Sequence, residues 1–230
     1  MSLTNIFCLG QEIPFYVYNF NETISNHLRH NKLPYELPFL LYIKRNFPEH
    51  QEIIDIGANI GNHSLFFAKF LKNDRVHAFE PHQSNFELLQ KNLAGQKCQL
   101  YNLALSNFEG ELPLYNSQIE NYGGFSLHSY SNGTSFKVLD SIPVRTLDSF
   151  NLNNITMIKI DVENHENEVL EGAKDTISRN KPIIFVENLY HGFPQVCPNP
   201  EPHAQIFHEL NYIKRDTNIL GGYMDLWVPK

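Results

Sequence analysis

The 230-residue chain has few cysteines, and their spacing suits neither disulfides nor metal binding. Cys8, Cys98 and Cys197 are far apart and odd in number, and none belongs to a CxxC pair. A disulfide framework or a cysteine-based zinc site is therefore not expected, and the composition fits a reducing compartment. On this basis we predict a cytoplasmic location.

Long apolar runs and an excess of positive charge are also missing. No stretch approaches the ~18 consecutive apolar residues that a membrane-spanning helix needs. The start of the chain, MSLTNIFCLG, lacks the basic residues and the long apolar core of a signal peptide. Because 18 Lys and Arg face 25 Asp and Glu, the net charge of −7 argues against general nucleic-acid binding. We predict no membrane span and no nucleic-acid partner, and the sequence leaves the oligomeric state open.

Strand-like and helix-like segments alternate through most of the chain. Strand patterns occur at EIIDI, RVHAFE, CQLYNLAL, GELPLY, TMIKIDV, PIIFVEN, YIKR and YMDLWV, and helical patterns follow several of them. This alternation predicts an α/β fold with a mostly parallel sheet covered on both faces. The short link through Gly221 and Gly222 predicts that the last two strands form an antiparallel hairpin or edge.

The first 48 residues have a different pattern. Glu12–Phe20 is rich in aromatic and β-branched residues and predicts a strand. Helices are expected in NETISNHLRH, with an Asn or Thr cap, and in Pro34–Phe47. We therefore predict a strand and helix extension at residues 1–48 that packs on a core domain at residues 49–230.

One polar region, Asn116–Phe136, is too long for a simple turn. Loops of this length in compact domains are usually functional or disordered. Two interpretations remain open from the residues alone: a flexible surface loop or a lid over a substrate.

The most informative turn is IIDIGANIG, where a strand enters a helix through two glycines. Gly57 can bend the chain sharply, and Gly61 lets the following helix approach. The spacing lacks the middle glycine of the G-x-G-x-x-G dinucleotide motif. The N–H groups at the start of the helix therefore suit a carboxylate better than a pyrophosphate.

An acid ends the next strand, in VHAFEP. Glu80 could accept hydrogen bonds from both ribose hydroxyls of a nucleoside, or it could be a solvated carboxylate. Asp55 lies within the preceding strand and is expected near a cationic amine. A ribose diol, an ammonium group and a carboxylate are all present in S-adenosylmethionine, which we predict as the cofactor.

Five ordered segments carry a resemblance to a known family: IIDIGANIGNHS, AFEPHQSNFELLQKNL, NLALSNFEGELPLY, VRTLDSF and IKIDVENHENEVLEGA. Together they resemble the FkbM-type methyltransferases, from about Pro34 to the end of the chain. The resemblance implies a class I, Rossmann-like three-layer sandwich whose seven-stranded sheet is mostly parallel with an antiparallel last strand. It also implies methyl transfer from S-adenosylmethionine to hydroxyl groups, often on sugars or natural products.

The same resemblance implies roles for individual residues. Carried over by position, Asp55, Gly57, Asn59 and Gly61 line the methionine end of the cofactor, Glu80 holds the ribose, the stretch Asn102–Ser106 (including Ala104) lies near the adenine, and Asp161 lies beside the transferring methyl group. The family commonly has glycine after DVE, where this chain has Asn164, so the local turn is expected to differ.

A hydroxyl acceptor is helped by a general base. Acids and histidines follow the carboxyl ends of the predicted fourth and fifth strands of the core: Asp161, Glu163, His165, Glu187 and His191. Asp161 is the preferred catalytic residue, and His165 and Glu187 are further candidates. His165 could instead be an exposed histidine at a helix start, and Glu163 and Glu166 could simply favour the helix N-terminus.

Three alternatives stay open. Asp161, Glu187 and Asn188 could offer oxygen ligands to Mg²⁺, although we assign no metal ligand. The chain could be an NAD-linked oxidoreductase, which the missing phosphate motif disfavours, or a non-catalytic nucleoside-binding module. We predict an S-adenosylmethionine-dependent O-methyltransferase acting on a small-molecule or glycan acceptor, namely a sugar or glycosylated metabolite.

Overall fold

The computed structural model describes residues 1–117, 125–126, 136–191, 199–219 and 223–230. The strands in chain order are β1 (Ser2–Cys8), β2 (Gln11–Val17), β3 (Glu52–Ile56), β4 (Arg75–Phe79), β5 (Cys98–Tyr101), β6 (Ala104–Leu105), β7 (Gly110–Ser117), β8 (Phe125–Ser126), β9 (Phe136–Arg145), β10 (Ile155–Ile160), β11 (Ile183–Glu187), β12 (Tyr212–Asp216) and β13 (Met224–Pro229). The α-helices are α1 (Thr23–Asn31), α2 (Leu37–Asn46), α3 (Asn62–Phe70), α4 (Gln83–Asn92), α5 (Glu166–Glu171), α6 (Lys174–Asn180) and α7 (Ala204–Glu209). None of these helices is long and apolar enough to cross a bilayer.

The central sheet has seven strands in the order β12-β13-β11-β10-β3-β4-β5. Neighbouring strands from β11 to β5 pair in parallel. The last strand of the chain, β13, lies between β11 and β12 and runs antiparallel to both. The predicted topology and the predicted terminal antiparallel pairing are therefore confirmed, while Gly221 and Gly222 lie outside the described residues.

Both faces of this sheet are buried, because successive strand residues point to opposite sides. Ile53 belongs to one core and Ile54 to the other. The first core is completed by residues of α1 to α4: Leu28, Leu40, Phe67 and Leu89. The second is completed by residues of α5 to α7: Val169, Leu170, Ile177 and Phe207. The three-layer arrangement explains why β3 and β10 are buried along nearly their whole length.

A two-stranded hairpin, β1–β2, begins the chain and packs into the first core through Ile6 and Phe15. The strand β1 was not predicted. The side chain of Asn92, on α4, binds both the backbone N–H and the carbonyl of Tyr16 and so fixes the hairpin to the core. The predicted cap of α1 is wrong: Glu22 precedes the helix, and its carboxylate accepts hydrogen bonds from two backbone N–H groups of the first turn.

A smaller sheet, in the order β6-β9-β7-β8, accounts for the main errors of the predicted element boundaries. CQLYNLAL is two strands, β5 in the large sheet and β6 in the small one. The strand β9 was not predicted. The region predicted as one loop begins within β7, contains β8 and ends at the start of β9. Residues 118–124 and 127–135 lie outside the described part, so its role as a loop or lid stays a prediction.

The helical segment that follows β10 is broken at Gly172, between α5 and α6. A Cβ added to Gly172 would lie 1.9 Å from the backbone oxygen of Ser106. The glycine is therefore required by the close approach of two backbone segments as well as by the break in the helix.

Candidate active site

A cavity of about 350 Å³ opens at the carboxyl ends of the central strands. Gly57 follows β3, Glu80 follows β4, Asp161 follows β10 and Glu187 ends β11, and all four line the cavity. This is the edge of an open α/β sheet at which ligands bind, and the volume lies within the range of small-molecule sites.

The turn after β3 is built around Gly57, which adopts a φ of +77°. A Cβ at this position would lie 1.8 Å from the backbone oxygen of Asp161. The N–H groups of Gly57 and Ala58 both donate to the carbonyl of Phe79, at 3.0 and 2.9 Å. The glycine thus allows three strand ends to meet beside the cavity.

Glu80 is buried and is not the solvated carboxylate considered as an alternative. Its Oε2 accepts from the backbone N–H of Asn59 at 2.8 Å, and its Oε1 accepts from that of His82 at 2.9 Å. Burial raises the pKa of Glu80 to about 7, although these hydrogen bonds oppose the rise. Each carboxylate oxygen can accept more than one hydrogen bond, so Glu80 retains capacity for a ligand hydroxyl.

A buried lysine, Lys159, connects the ends of β3 and β10 beside the cavity, and it was not predicted as a site residue. Its Nζ lies 3.3 Å from Asp55 Oδ1 and 3.3 Å from Asp161 Oδ2, and it donates to the carbonyl of Gly57 at 3.1 Å. Burial opposes the charged form, but the two aspartates together raise the pKa of Lys159 above its usual value. A lysine between the apolar residues of the strand pattern TMIKIDV was the signal that could have identified it.

Two glutamates that follow β10 have raised pKa values. Burial, with the charges of Asp161 and Glu166, raises the pKa of Glu163 to about 8. Burial likewise raises the pKa of Glu166 to about 7, although its Oε1 accepts from the backbone N–H groups of Val162 and Asn164. Glu163 lines the cavity, whereas Glu166 holds the turn that carries it.

The turn DVENHE contains two consecutive residues in the left-handed region, Glu163 at φ +53° and Asn164 at φ +76°. This conformation favours glycine, and asparagine tolerates it better than most other residues. The departure from the family pattern at Asn164 therefore retains a residue type suited to a left-handed turn.

His165 is buried and lines the cavity, so it is not the exposed histidine considered as an alternative. Its Nε2 lies 3.0 Å from Ser106 Oγ, and its Nδ1 lies 3.6 Å from Glu168 Oε2. Both ring nitrogens therefore have polar neighbours in the protein.

Glu187 is buried and also lines the cavity. Burial, together with the charges of Asp161 and Glu163, raises the pKa of Glu187 well above its usual range. Within the described residues, its Oε2 is buried without a hydrogen-bond partner.

Three residues predicted to bind the cofactor do not line the cavity: Asp55, Gly61 and Asn102. Asp55 is fully buried, where it accepts from Ser64 Oγ at 2.5 Å and pairs with Lys159. Gly61 caps α3, and a Cβ there would lie 2.9 Å from Leu89 Cδ1. Asn102 donates to the carbonyls of Glu80 and Pro81. All three support the cavity wall from behind.

The other predicted cofactor residues reach the cavity. Asn59 lines it at the turn, and Ala104 lines it next to Leu103 and Leu105. Phe79, Leu103, Ala104 and Leu105 give the cavity an apolar part.

The N-terminal segment supplies a wall that the sequence did not predict. Tyr35 and Glu36 line the cavity, and the Asn62 side chain exchanges two 2.9 Å hydrogen bonds with the backbone of Tyr35. Glu36 Oε2 lies 3.3 Å from His63 Nε2, outside good hydrogen-bond alignment. Burial would raise the pKa of Glu36, but His63 and the charge of Lys159 leave it below its usual value.

The acids of the site do not form a metal centre in the described part of the chain. There, no three His, Cys, Asp or Glu side chains converge in a way that could hold an ion. Of the three ligands considered for Mg²⁺, which were Asp161, Glu187 and Asn188, the asparagine has other partners. Asn188 instead donates to Asp225 Oδ2 and to the carbonyl of Pro200.

Two named methyltransferases are similar to this chain in sequence. AglP, a hexuronic acid methyltransferase from Haloferax volcanii, is 25% identical over 176 residues, which cover 76% of this chain and 71% of that protein. Methyltransferase 1 from Beauveria bassiana is 26% identical over 153 residues, which cover 56% of this chain and 61% of the relative. The chain thus spans less than two thirds of the length of the fungal protein.

Solved structures agree on the fold. A crystal structure of a methyltransferase FkbM from Methylobacillus flagellatus matches with a TM-score of 0.53 and 19% identity over 78% of this chain and 43% of that chain. A putative transferase from Pyrococcus horikoshii matches with a TM-score of 0.53 and 15% identity over 98% and 70% of the two chains. At these identities the likeness shows a shared class I methyltransferase fold.

The family itself is settled by sequence. The methyltransferase FkbM domain model matches residues 55–214, which is more than half of the chain and contains the turn at Gly57, the acid at Glu80 and the segment from Lys159 to Glu187. The protein therefore belongs to the FkbM methyltransferase family.

Proposed function

We propose that this protein is an S-adenosylmethionine-dependent O-methyltransferase acting on a hydroxyl group of a small polar acceptor, a sugar or glycosylated metabolite. The observation that carries the proposal is the cavity in which the Gly57 turn, the Glu80 carboxylate and the acids after β10 and β11 meet. Family membership supports methyl transfer. The hexuronic acid named for the AglP relative supports a sugar acceptor. A cytoplasmic location belongs to the same proposal.

The residues present fit the chemical groups of the cofactor. Glu80 can accept from the ribose hydroxyls, and the apolar side formed by Phe79 and Leu105 suits the adenine. The first turn of the nine-residue helix α3 presents backbone N–H groups at Asn62 and His63, which suits a carboxylate. The Asp161 side chain, held by Lys159, suits the neighbourhood of the positive charges.

When bound, the cofactor supplies an electrophilic methyl group: the acceptor oxygen forms a C–O bond as the S–C bond breaks, and the sulfur leaves as a neutral thioether. The chain must align the acceptor and remove its hydroxyl proton. We assign the general base to Glu163, because it lines the cavity and its pKa of about 8 suits proton transfer near neutral pH. The proton ends on the Glu163 carboxylate.

Asp161 and His165, two of the three residues predicted to be catalytic, receive supporting roles in this proposal. Asp161 is paired with Lys159, which makes it better suited to fixing the turn and the cofactor than to taking a proton. His165, which directly precedes α5, is held next to Ser106.

Thermal unfolding with S-adenosylhomocysteine, set beside NAD⁺, tests the cofactor assignment. A ligand at ~100 times its dissociation constant adds about 2.7 kcal/mol of stability, which raises the melting temperature clearly. We expect the rise with S-adenosylhomocysteine alone. A rise in melting temperature with NAD⁺ alone would contradict the proposal and would indicate an oxidoreductase. A rise with S-adenosylhomocysteine but no methylated product from a broad sugar panel would favour a non-catalytic binding module.

A further inference from the structure

Several carboxylates line the cavity. Glu36, Asp161, Glu163 and Glu187 all line it, and they come from three separate parts of the chain. Their convergence is visible at Tyr35, whose pKa is raised to about 12 by burial and then by negative charges that include Glu36, Asp161 and Glu163. A cationic ligand would favour the ionised form of these carboxyl groups.

The basic side chains that line the cavity already have carboxylate neighbours. Lys159 lies between Asp55 and Asp161. His63 lies 3.3 Å from Glu36. His165, the third basic side chain among the described lining residues, lies 3.6 Å from Glu168. In the described part of the chain, none of these three groups forms an ion pair with Glu187.

Glu187 gives an independent sign of a missing partner. The residue is 8% exposed and lines the cavity, yet its Oε2 is buried without a hydrogen-bond partner in the described part of the chain. Buried carboxyl oxygens in folded proteins are normally hydrogen-bonded, because it is costly to leave a buried polar atom without a partner. A donor from a ligand would satisfy this oxygen.

An acceptor with a positive charge explains the carboxylates of the cavity better than a metal ion or the cofactor does. The described residues form no three-ligand metal group. The cofactor carries two positive charges and one negative charge, so its net charge offsets one carboxylate. An acidic acceptor such as a hexuronate would add negative charge beside Glu163 and Glu187, which is unfavourable in a partly buried site.

We propose that the acceptor carries a protonated amine, as in an amino sugar, and that Glu187 binds this ammonium group while Glu163 faces the hydroxyl to be methylated. This inference rests on the methyltransferase function proposed above and names the class of its substrate. The ammonium group donates up to three hydrogen bonds, one of which reaches Glu187 Oε2. The amine itself is protonated in the complex, so it is a point of recognition and the hydroxyl oxygen remains the nucleophile.

Isothermal titration of the protein saturated with S-adenosylhomocysteine tests the proposal with three probes: glucosamine, N-acetylglucosamine and glucuronic acid. They share a sugar ring and differ in charge. We expect glucosamine to bind at least about tenfold more tightly than the other two. Glu187→Gln keeps the shape of the side chain and should weaken glucosamine binding by about tenfold or more, with N-acetylglucosamine unchanged. Glu87→Gln, an exposed change on α4, is the control and should alter none of the three affinities.

The inference would be overturned if glucuronic acid bound more tightly than glucosamine, or if Glu187→Gln left the preference for glucosamine intact. It would also be overturned if the preference appeared only with added Mg²⁺ and vanished with a chelator. A third contradicting result is that neither glucosamine nor the simpler probe ethanolamine binds. The thermal shift with S-adenosylhomocysteine is measured on every variant. If the wild-type protein shows no shift, the proposed function fails; if it shows a shift without an ammonium preference, the acceptor assignment alone fails.

Discussion

The Cα of Gly57 and the backbone oxygen of Asp161 are so close that a Cβ on Gly57 would lie 1.8 Å from that oxygen. The contact joins the end of β3 to the end of β10, and the carbonyl of the same glycine accepts from Lys159. Real Cβ atoms do not approach an oxygen this closely, so any side chain at residue 57 must push the two strand ends apart. The cavity wall is formed by these two strand ends.

Gly57→Ala should therefore destabilise the fold and abolish S-adenosylhomocysteine binding. Gly95→Ala is a matched control, because Gly95 has a φ of +79° against +77° at Gly57, with nothing within 4 Å of its added Cβ. The control should lose only the ~1–2 kcal/mol of a left-handed alanine. Urea unfolding of both variants measures the difference, and equal losses would show that the close approach to Asp161 is unimportant.

Lys159→Met should cost about 3–5 kcal/mol, because it leaves the buried Asp55 and the half-buried Asp161 without their charge partner. Adding Asp55→Asn to this variant should restore part of the loss. Lys174→Met is the control: Lys174 pairs with surface glutamates, where ion pairs contribute ~0–1 kcal/mol. Similar losses for the two lysines, measured by denaturant unfolding, would contradict a central role for Lys159.

Activity should rise with pH through about 8, the pKa of Glu163, because the proposed base must be deprotonated. Burial and the charges of Asp161 and Glu166 hold this pKa above its usual value, and Lys159 acts in the opposite direction. Glu163→Gln should lower kcat by ~10²-fold or more and remove the dependence, with S-adenosylhomocysteine binding retained. An unchanged pH profile of kcat/KM in this variant would assign the base elsewhere.

Glu187→Gln should stabilise the ligand-free protein more at pH 8 than at pH 5. The folded-state pKa of Glu187 is raised by burial and by Asp161, Glu163 and Glu166, against the opposing charge of Lys159. A raised acid pKa contributes stability below the unfolded pKa, and that stability is lost as pH rises towards the folded pKa. Glutamine removes this loss. Melting temperatures of wild type and variant at the two pH values measure it, and a gain that is larger at pH 5 would contradict the burial of a proton-binding Glu187.

The sequence predicted the parts of the site that belong to strand ends. The turn at Gly57, the acid at Glu80 and the acids after TMIKIDV follow a local rule, because parallel strands bring their carboxyl ends to one edge. Lys159 was missed although its charge in an apolar run was visible. The boundary of the extension at residue 48 remains a prediction.

Other parts of the site depend on packing between distant segments. Tyr35 and Glu36 reach the cavity because Asn62 binds the backbone before α2, which no local pattern indicates. The burial of Glu80 and His165 likewise depends on neighbours far along the chain. The strand β9 was missed because its partner β7 lies across the polar region, so the pairing has no signal within either segment.

Titration of S-adenosylhomocysteine into wild type and Glu80→Gln tests the central claim most directly. We expect wild type to bind and Glu80→Gln to bind at least about tenfold more weakly, since a buried charged acceptor of ligand hydroxyls and of the Asn59 N–H would be lost. Glu87→Gln should match wild type. Absence of binding to wild type, or equal binding by Glu80→Gln, would contradict the assignment of this cavity to S-adenosylmethionine.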